Sequence, residues 1–286
     1  MLRVSAVNPS YDPPVQTLTD IKRILEEHGL RPKKSLGQNF LIDHNLLRRL
    51  VDSSGVSPGD LVLEIGPGTG TLTEELLERG CTVIGCELDD HLAEILRARL
   101  ADQNNFTLIH ADCLESKREF SRAVIEAIAG RPFRLVANLP YAAGTPAIMT
   151  LLIAHPGCIS MSVTIQREVA DRITAKPGTR AYGAISVIAQ SLARITKVAN
   201  LPPRCFWPAP DVTSSMIHLE RLAEPLTDDV PALVAFCERV FAKRRKQLGS
   251  VLGRDGPWPP GVLPEDRAES LDPPTLIALA RIAPTR

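Results

Sequence analysis

The sequence lacks the features that mark membrane-spanning and disulfide-stabilised proteins. No apolar run approaches the roughly 20 residues that a membrane span needs, and the N-terminal residues lack the apolar core of a signal peptide. The six cysteines form no C-x-x-C pair and no local cluster with histidine, which argues against a zinc motif and indicates reduced thiols. We therefore expect a cytoplasmic, monomeric protein that neither contacts a membrane nor holds a metal ion.

The sequence also lacks a net charge, because 33 basic residues balance 33 acidic ones. This balance excludes a uniformly basic surface, so any RNA-binding face must be local. Basic residues concentrate at Lys33-Lys34 and in the run 243–246 of a predicted helix, 243–252. Two interpretations of the run stay open, a solvated helix face or a patch that contacts phosphates. On the second interpretation, the candidate RNA-binding residues are Lys243, Arg244, Arg245 and Lys246.

What is present is the length and composition of a globular protein. The chain has 286 residues, 44% of them apolar, and a mean hydropathy of zero, which suits one large domain and one small one. The proline-rich residues 1–18 predict a flexible leader. An acid-rich stretch at 224–229 predicts a boundary between a domain over 19–222 and a helical C-terminal domain over 223–286.

The rest of the chain is organised around the stretch 61–70. An apolar run, 61–65, predicts a buried parallel strand that leads into a turn containing Gly66 and then into a helix with a capping box at Thr71 and Glu74. Such a turn lets a ligand lie against backbone N–H groups. A second apolar strand ends at Glu87, about 20 residues further on, where nucleoside-binding β-α-β units place the carboxylate that holds ribose. This unit alone permits either NAD or S-adenosylmethionine.

Two further segments are candidates for the same site. A third strand, 106–110, precedes Asp112, which could accept a hydrogen bond from an adenine amino group or cap a helix predicted over 115–129. The segment 33–43 has no clean period and suits a loop laid over a site, although spacing alone favours Gln38 and Asn39 as plain turn residues.

The tetrapeptide Asn138-Leu139-Pro140-Tyr141 ends a predicted fourth strand and indicates the reaction class. The Asn138 amide oxygen and the Leu139 carbonyl match the two N–H donors of an adenine 6-amino group. Pro140 fixes the turn, and Tyr141 can stack on a flat base. Accepting those protons frees the nitrogen lone pair to attack a methyl group, so positioning and electrostatics would perform the catalysis.

Taken together, these motifs resemble those of the ribosomal small-subunit RNA adenine-N6 dimethyltransferases, from about residue 19 to the end. The resemblance rests on the ordered segments KSLGQNFL (34–41), EIGPGTG (64–70), NLPY (138–141), QREVA (166–170), AYG (181–183), FWPAPDV (206–212) and FAKRRK (241–246). It implies an α/β fold of the class I Rossmann-like methyltransferase type, with a mostly parallel seven-stranded sheet and a late antiparallel strand over 212–219. It also implies a small α-helical C-terminal domain.

The resemblance also implies roles. The chain would use S-adenosylmethionine to dimethylate two adjacent adenosines in the 3′-terminal hairpin loop of 16S rRNA, within the small ribosomal subunit or its precursor. Phe206 would clamp the flipped target adenine against Tyr141. The implied cofactor-binding residues are Asn39, Leu41, Gly66, Glu87, Asp112 and Asn138.

Three alternatives remain at this point. The first is a 23S rRNA adenine-N6 methyltransferase of the macrolide-resistance type, which shares the cofactor site and the tetrapeptide. The second is a non-catalytic RNA-binding assembly or transcription factor with the same fold. The third, an NAD-dependent oxidoreductase, is disfavoured because the tetrapeptide has no place in hydride chemistry.

Overall fold

The structure is a computed structural model that describes residues 16–116 and 118–283. The helices are α1 (Leu18–Glu27), α2 (His44–Ser54), α3 (Thr71–Glu78), α4 (Asp90–Arg99), α5 (Arg122–Ile128), α6 (Tyr141–Ala154), α7 (Arg167–Ile173), α8 (Ala184–Leu192), α9 (Val230–Ala242), α10 (Leu248–Leu252) and α11 (Pro273–Ile282). The strands are β1 (Phe40–Leu41), β2 (Leu61–Ile65), β3 (Thr82–Glu87), β4 (Phe106–His110), β5 (Leu114–Ser116), β6 (Glu119–Phe120), β7 (Phe133–Asn138), β8 (Cys158–Gln166), β9 (Ala193–Leu201), β10 (Phe206–Trp207) and β11 (Ser214–Arg221).

Seven strands form one central sheet in the spatial order β4-β3-β2-β7-β8-β11-β9. The first five pair in parallel, whereas β11 is antiparallel to both β8 and β9. The predicted mostly parallel sheet with a reversed late strand is therefore confirmed. The chain runs from β2 to β3 on one side and later places β7 on the other. Such a switch in strand order opens a crevice at the carboxyl ends of the strands.

One core joins the sheet to the C-terminal helices. All five residues of β2 are buried, as expected for a parallel strand covered on both faces. Leu233 and Phe236 of α9 and Leu276 of α11 belong to the same buried cluster as Leu135 of β7. The helical segment that follows β11 thus packs directly on the sheet domain.

The N-terminal end of the described chain is held in place. Residues 1–15 of the predicted leader lie outside the described residues, but Gln16 is buried and Thr17 caps α1. Thr17 and Asp20 form the capping box of this helix. The end of the predicted leader is therefore packed against the domain.

Two predicted helices differ from the observed ones. The helix predicted over 115–129 begins at Arg122, because the hairpin of β5 and β6 precedes it and buries Phe120. The helix predicted over 243–252 is wrong at its start, because α9 ends at Ala242 and α10 begins at Leu248. The four basic residues between them form a turn, which separates like charges that would repel one another on a helix.

Candidate active site

A cavity of about 480 Å³ lies at the crevice beside β2. Its volume suits a nucleoside-sized ligand. All the residues predicted for the cofactor and the target base contribute to its lining, namely Asn39, Leu41, Gly66, Glu87, Asp112, Asn138, Leu139, Tyr141 and Phe206. The structure thus brings the predicted cofactor-binding and catalytic residues together at one cavity.

The glycine turn after β2 leaves no room for side chains. Gly66 and Gly68 have φ values of +71° and +65°, in the left-handed region that favours glycine. A Cβ on Gly66 would lie 3.2 Å from Cγ of Pro140, and one on Gly68 would lie 2.9 Å from Cε1 of Phe40. The turn therefore packs tightly between the tetrapeptide and Phe40 of β1, with the N-terminus of α3 immediately after it.

Glu87 lies at the end of β3 and is 6% exposed. Its Oε2 accepts a hydrogen bond from the N–H of Gly68 at 3.0 Å, and its Oε1 accepts from the N–H groups of Leu88 and Asp89 at 2.9 Å. Burial raises the pKa of Glu87, while these backbone hydrogen bonds act in the opposite direction. A carboxylate has about four lone-pair positions and three of them accept these N–H groups, so Glu87 can still accept one hydrogen bond, such as one from a ribose hydroxyl.

Asp112 follows β4 and is exposed at the cavity. Its Oδ1 accepts a hydrogen bond from the N–H of Leu114 at 2.9 Å, which turns the chain into β5. The alternative role as a helix cap is therefore wrong, because a strand follows.

The tetrapeptide is fixed from three directions. The Asn138 Nδ2 donates to the carbonyl of Asn39 at 2.9 Å, which leaves the amide oxygen as the acceptor of that side chain. The N–H of Leu139 donates to the carbonyl of Thr164 in β8 at 3.1 Å. The Tyr141 hydroxyl pairs with the Ser214 hydroxyl at 2.9 Å. Ser214 lies 73 positions away in the chain, so no local spacing could have identified it as the partner that orients Tyr141.

The segment 33–39 is anchored by Asp89, two residues after Glu87. Asp89 is buried, and its Oδ2 pairs with the Lys33 Nζ at 2.8 Å and accepts from the Gln38 Nε2 at 2.9 Å. Burial opposes ionisation of Asp89, yet the hydrogen bonds from Lys33 and Gln38 hold its pKa below the ordinary value. Sequence reasoning missed this anchor, although the loop itself covers the cavity as predicted.

Phe206 reaches the cavity through strand pairing. It lies in β10, whose antiparallel register with β1 places Phe206 opposite Leu41. Its side chain is 3% exposed and packs in a cluster with Leu47 and Leu50. Phe206 therefore forms part of the apolar wall, and Tyr141 lines the same cavity. Ala142 and Ala143 extend this wall without adding polar side-chain atoms.

Glu64 also lines the cavity and was not predicted as a site residue. It is 1% exposed and accepts a hydrogen bond from the Thr73 hydroxyl at 2.7 Å. Burial raises its pKa to about 8, against the opposing effect of that hydrogen bond. Glu64 is therefore predominantly a neutral acid at pH 7 beneath the glycine turn.

The basic run lies at a second cavity, of about 770 Å³, which shares no lining residue with the first. Lys243, Arg245 and Lys246 are exposed there. Arg244 is instead tied into the fold: it pairs with the Glu269 carboxylate and donates to the carbonyls of Thr179 and Arg180. The run is thus neither a helix face nor a set of four equivalent cations. Arg180 and Arg267, which were not predicted, add charge to the same cavity.

Among the residues that the structure describes, no group of three or more histidine, cysteine, aspartate or glutamate side chains is placed to hold a metal ion. None of the helices over 16–116 and 118–283 is long and apolar enough to cross a membrane.

The strand order, the glycine turn after β2, Glu87 at the end of β3 and the tetrapeptide at the end of β7 together define a class I Rossmann-like methyltransferase. The family model described as Ribosomal RNA adenine dimethylase matches residues 29–267. The chain is 40% identical to Ribosomal RNA small subunit methyltransferase A of Phenylobacterium zucineum (strain HLK1), over 93% of each chain. It is 38% identical to the protein of the same name from Streptomyces avermitilis, over 93% of this chain and 92% of the other.

Solved structures agree on the fold. A dimethyladenosine transferase from Plasmodium falciparum superimposes with a TM-score of 0.70 at 22% identity, over 84% of this chain and 95% of the other. The 23S rRNA methyltransferase ErmE superimposes with a TM-score of 0.67 at 26% identity, over 86% of this chain and 99% of the other. The chain belongs to the ribosomal RNA adenine dimethylase family, which confirms the resemblance and removes the oxidoreductase alternative.

Proposed function

We propose that this protein transfers methyl groups from S-adenosylmethionine to N6 of two adjacent adenosines in the 3′-terminal hairpin loop of 16S rRNA. It would give dimethyladenosines during maturation of the small subunit, acting in the cytoplasm as a monomer without a metal ion. Support comes from relatives named for the small subunit, at 38 and 40% identity over more than nine-tenths of each chain. The 23S enzyme ErmE is less similar, at 26% identity.

The cavity fits S-adenosylmethionine by the chemistry of its donor set. Glu87 offers a buried carboxylate to ribose hydroxyls, and Asp112 offers an exposed one to the adenine amino group. Gly66 has no side chain, so the methionine part can lie along the backbone, while Asn39, in the loop before β1, and Leu41, in β1, cover the cofactor. When bound, S-adenosylmethionine supplies an electrophilic methyl group on its sulfonium.

The tetrapeptide would hold the nucleophile. In this proposal the Asn138 amide oxygen and the Leu139 carbonyl accept the two N–H groups of the target adenine, so that the nitrogen lone pair points at the methyl group. Tyr141, oriented by Ser214, and Phe206 hold the flipped base, whose unstacking costs a few kcal/mol. Lys243, Arg245 and Lys246 would contact phosphates of the RNA.

The observation that carries this proposal is the hydrogen bond from Asn138 to the carbonyl of Asn39. It links the predicted catalytic residue to the cofactor-covering loop and fixes which amide atom is left to accept from the base. The same cavity holds Glu87 and the glycine turn, so the arrangement can bring a methyl donor and an adenine together.

The experiment is a comparison of two variants, Asn138→Ala and Glu87→Gln. Asn138→Ala is expected to lower the single-turnover methylation rate by about 100-fold or more, since it removes an electrostatic contact to the reacting group. Its Kd for S-adenosylmethionine should change only about threefold, roughly the effect of one neutral hydrogen bond. Glu87→Gln should instead weaken cofactor binding and retain much of the rate at saturating cofactor. An equal loss of binding and rate in both variants would contradict the assigned roles.

A further inference from the structure

Gln16 reaches the back of the glycine turn from outside the β-α-β unit. Its side chain is buried, at 5% exposure, although the chain places it before the first helix. The Gln16 Nε2 donates to the carbonyl of Thr69 at 3.1 Å and to Oε2 of Glu74 at 2.8 Å, and its Oε1 accepts from the Thr71 hydroxyl at 3.2 Å. The Gln16 amide thus links Thr69, in the glycine turn, to Thr71 and Glu74, in the first helical turn of α3.

The position of Gln16 is itself fixed. The backbone carbonyl of Gln16 pairs with the His44 Nε2 at 3.0 Å. The next residue caps α1, which packs on α4 through an apolar cluster of Ile21, Ile24, Leu25, Leu92 and Ile95. The side chain is therefore presented to the turn by two separate elements.

The turn depends on such contacts because its own sequence does not cap α3. Gly70 is the N-cap residue and offers no side-chain hydrogen bond, so the capping box predicted at Thr71 and Glu74 is wrong. Glu74 is occupied by Gln16 and by Arg99 of α4 instead. A turn with several glycines has few intrinsic restraints, and an ordered cofactor site requires them to be supplied from outside.

We propose that Gln16 is a positioning residue for cofactor binding: it holds Thr69 and Thr71, which line the cofactor cavity, in their binding conformation. Glu87 restrains the turn at Gly68, and Gln16 restrains it at Thr69 and Thr71. The inference rests on the proposed function for the identity of the cofactor. Gln16 itself does not line the cavity, so it acts through the turn.

The test compares Gln16→Met with Gln190→Met. Methionine keeps length and apolar volume but removes the amide hydrogen bonds. Gln190 is the matched control because its Nε2 donates to two backbone carbonyls, those of Ile173 and Ala175, and it does not line the cavity. Calorimetric titration of the full chain with S-adenosylmethionine, without RNA, measures Kd, and steady-state methylation separates KM from kcat.

We expect Gln16→Met to raise Kd and KM for S-adenosylmethionine about tenfold, with kcat within about twofold of wild type. Gln190→Met should lower Tm without changing Kd. Gln16→Glu, which keeps an acceptor but faces Glu74, should bind no better than Gln16→Met. An unchanged Kd in Gln16→Met, or an equal rise in Gln190→Met, would overturn the inference. A failure of the proposed function can be distinguished from a failure of this inference, because in the first case the wild-type protein itself would not methylate the RNA.

Discussion

Replacing Glu64 by glutamine is expected to make the stability of the cofactor-free protein less dependent on pH. Glu64 is buried beneath the glycine turn, and burial raises its pKa to about 8 from an ordinary 4.5. Between these values the folded protein holds a proton that the unfolded chain has released. The free energy of unfolding therefore falls as pH rises through this range, and the stabilisation is complete only below the unfolded-state pKa.

The magnitude follows from those two pKa values. Between about pH 6 and pH 8, Glu64 should cost the wild-type protein about 2 kcal/mol of unfolding free energy. The Glu64→Gln variant keeps an acceptor for the Thr73 hydroxyl and has no group that titrates at this position. It should therefore lose about 2 kcal/mol less than wild type over the same interval.

Urea unfolding of both proteins at the two pH values measures this difference. Burial lowers the pKa of His155 and His218, which changes stability in the opposite direction, but these histidines are common to both proteins and cancel. Burial raises the pKa of Glu87, but this residue is also common to both proteins, so its contribution cancels as well. Equal losses of stability in wild type and Glu64→Gln would refute the assignment of a neutral acid at this position.

Two further predictions concern arginines that the fold uses in different ways. Arg221 donates to four backbone carbonyls around the end of α6, so Arg221→Ala should lower the free energy of unfolding in urea by about 3 kcal/mol. Arg194 is exposed and serves as the control, since Arg194→Ala should cost under about 0.5 kcal/mol. Similar losses in the two variants would contradict this prediction. Arg245→Ala should reduce the slope of log K against log salt for RNA binding by about 1 with Tm unchanged. Arg244→Ala should lower Tm, because it breaks the contacts to Glu269 and to the carbonyls of Thr179 and Arg180. A lower Tm in Arg245→Ala, with a reduced salt slope in Arg244→Ala, would contradict this assignment.

The fold and the main cavity could be predicted because their signals are local. Short apolar runs, the glycine turn and the acid at Glu87 each occupy a few consecutive residues, and the carboxyl ends of parallel strands necessarily meet at one edge. The resemblance then supplied Asn39 and Leu41, which spacing alone left as ordinary loop residues. Asn39, Leu41, Gly66 and Glu87 all line the cavity in the structure.

The unpredicted parts depend on pairs that are distant in sequence. Gln16 contacts Thr71 across 55 positions, Gln38 contacts Asp89 across 51, and Arg244 contacts Glu269 across 25. No periodicity or motif encodes such pairings. The basic run illustrates the consequence: its composition indicated four equivalent cations, whereas the fold uses one of them internally.

The most direct test of the central claim is incubation of the protein with S-adenosylmethionine and unmethylated 30S particles, followed by mass spectrometry of the 3′-terminal fragment of 16S rRNA. The proposal predicts two adjacent dimethyladenosines in that fragment. Methylation of 23S rRNA instead, or no methylation despite measurable binding of cofactor and particle, would contradict it. The first result would favour the 23S-type enzyme, and the second would favour a non-catalytic assembly factor.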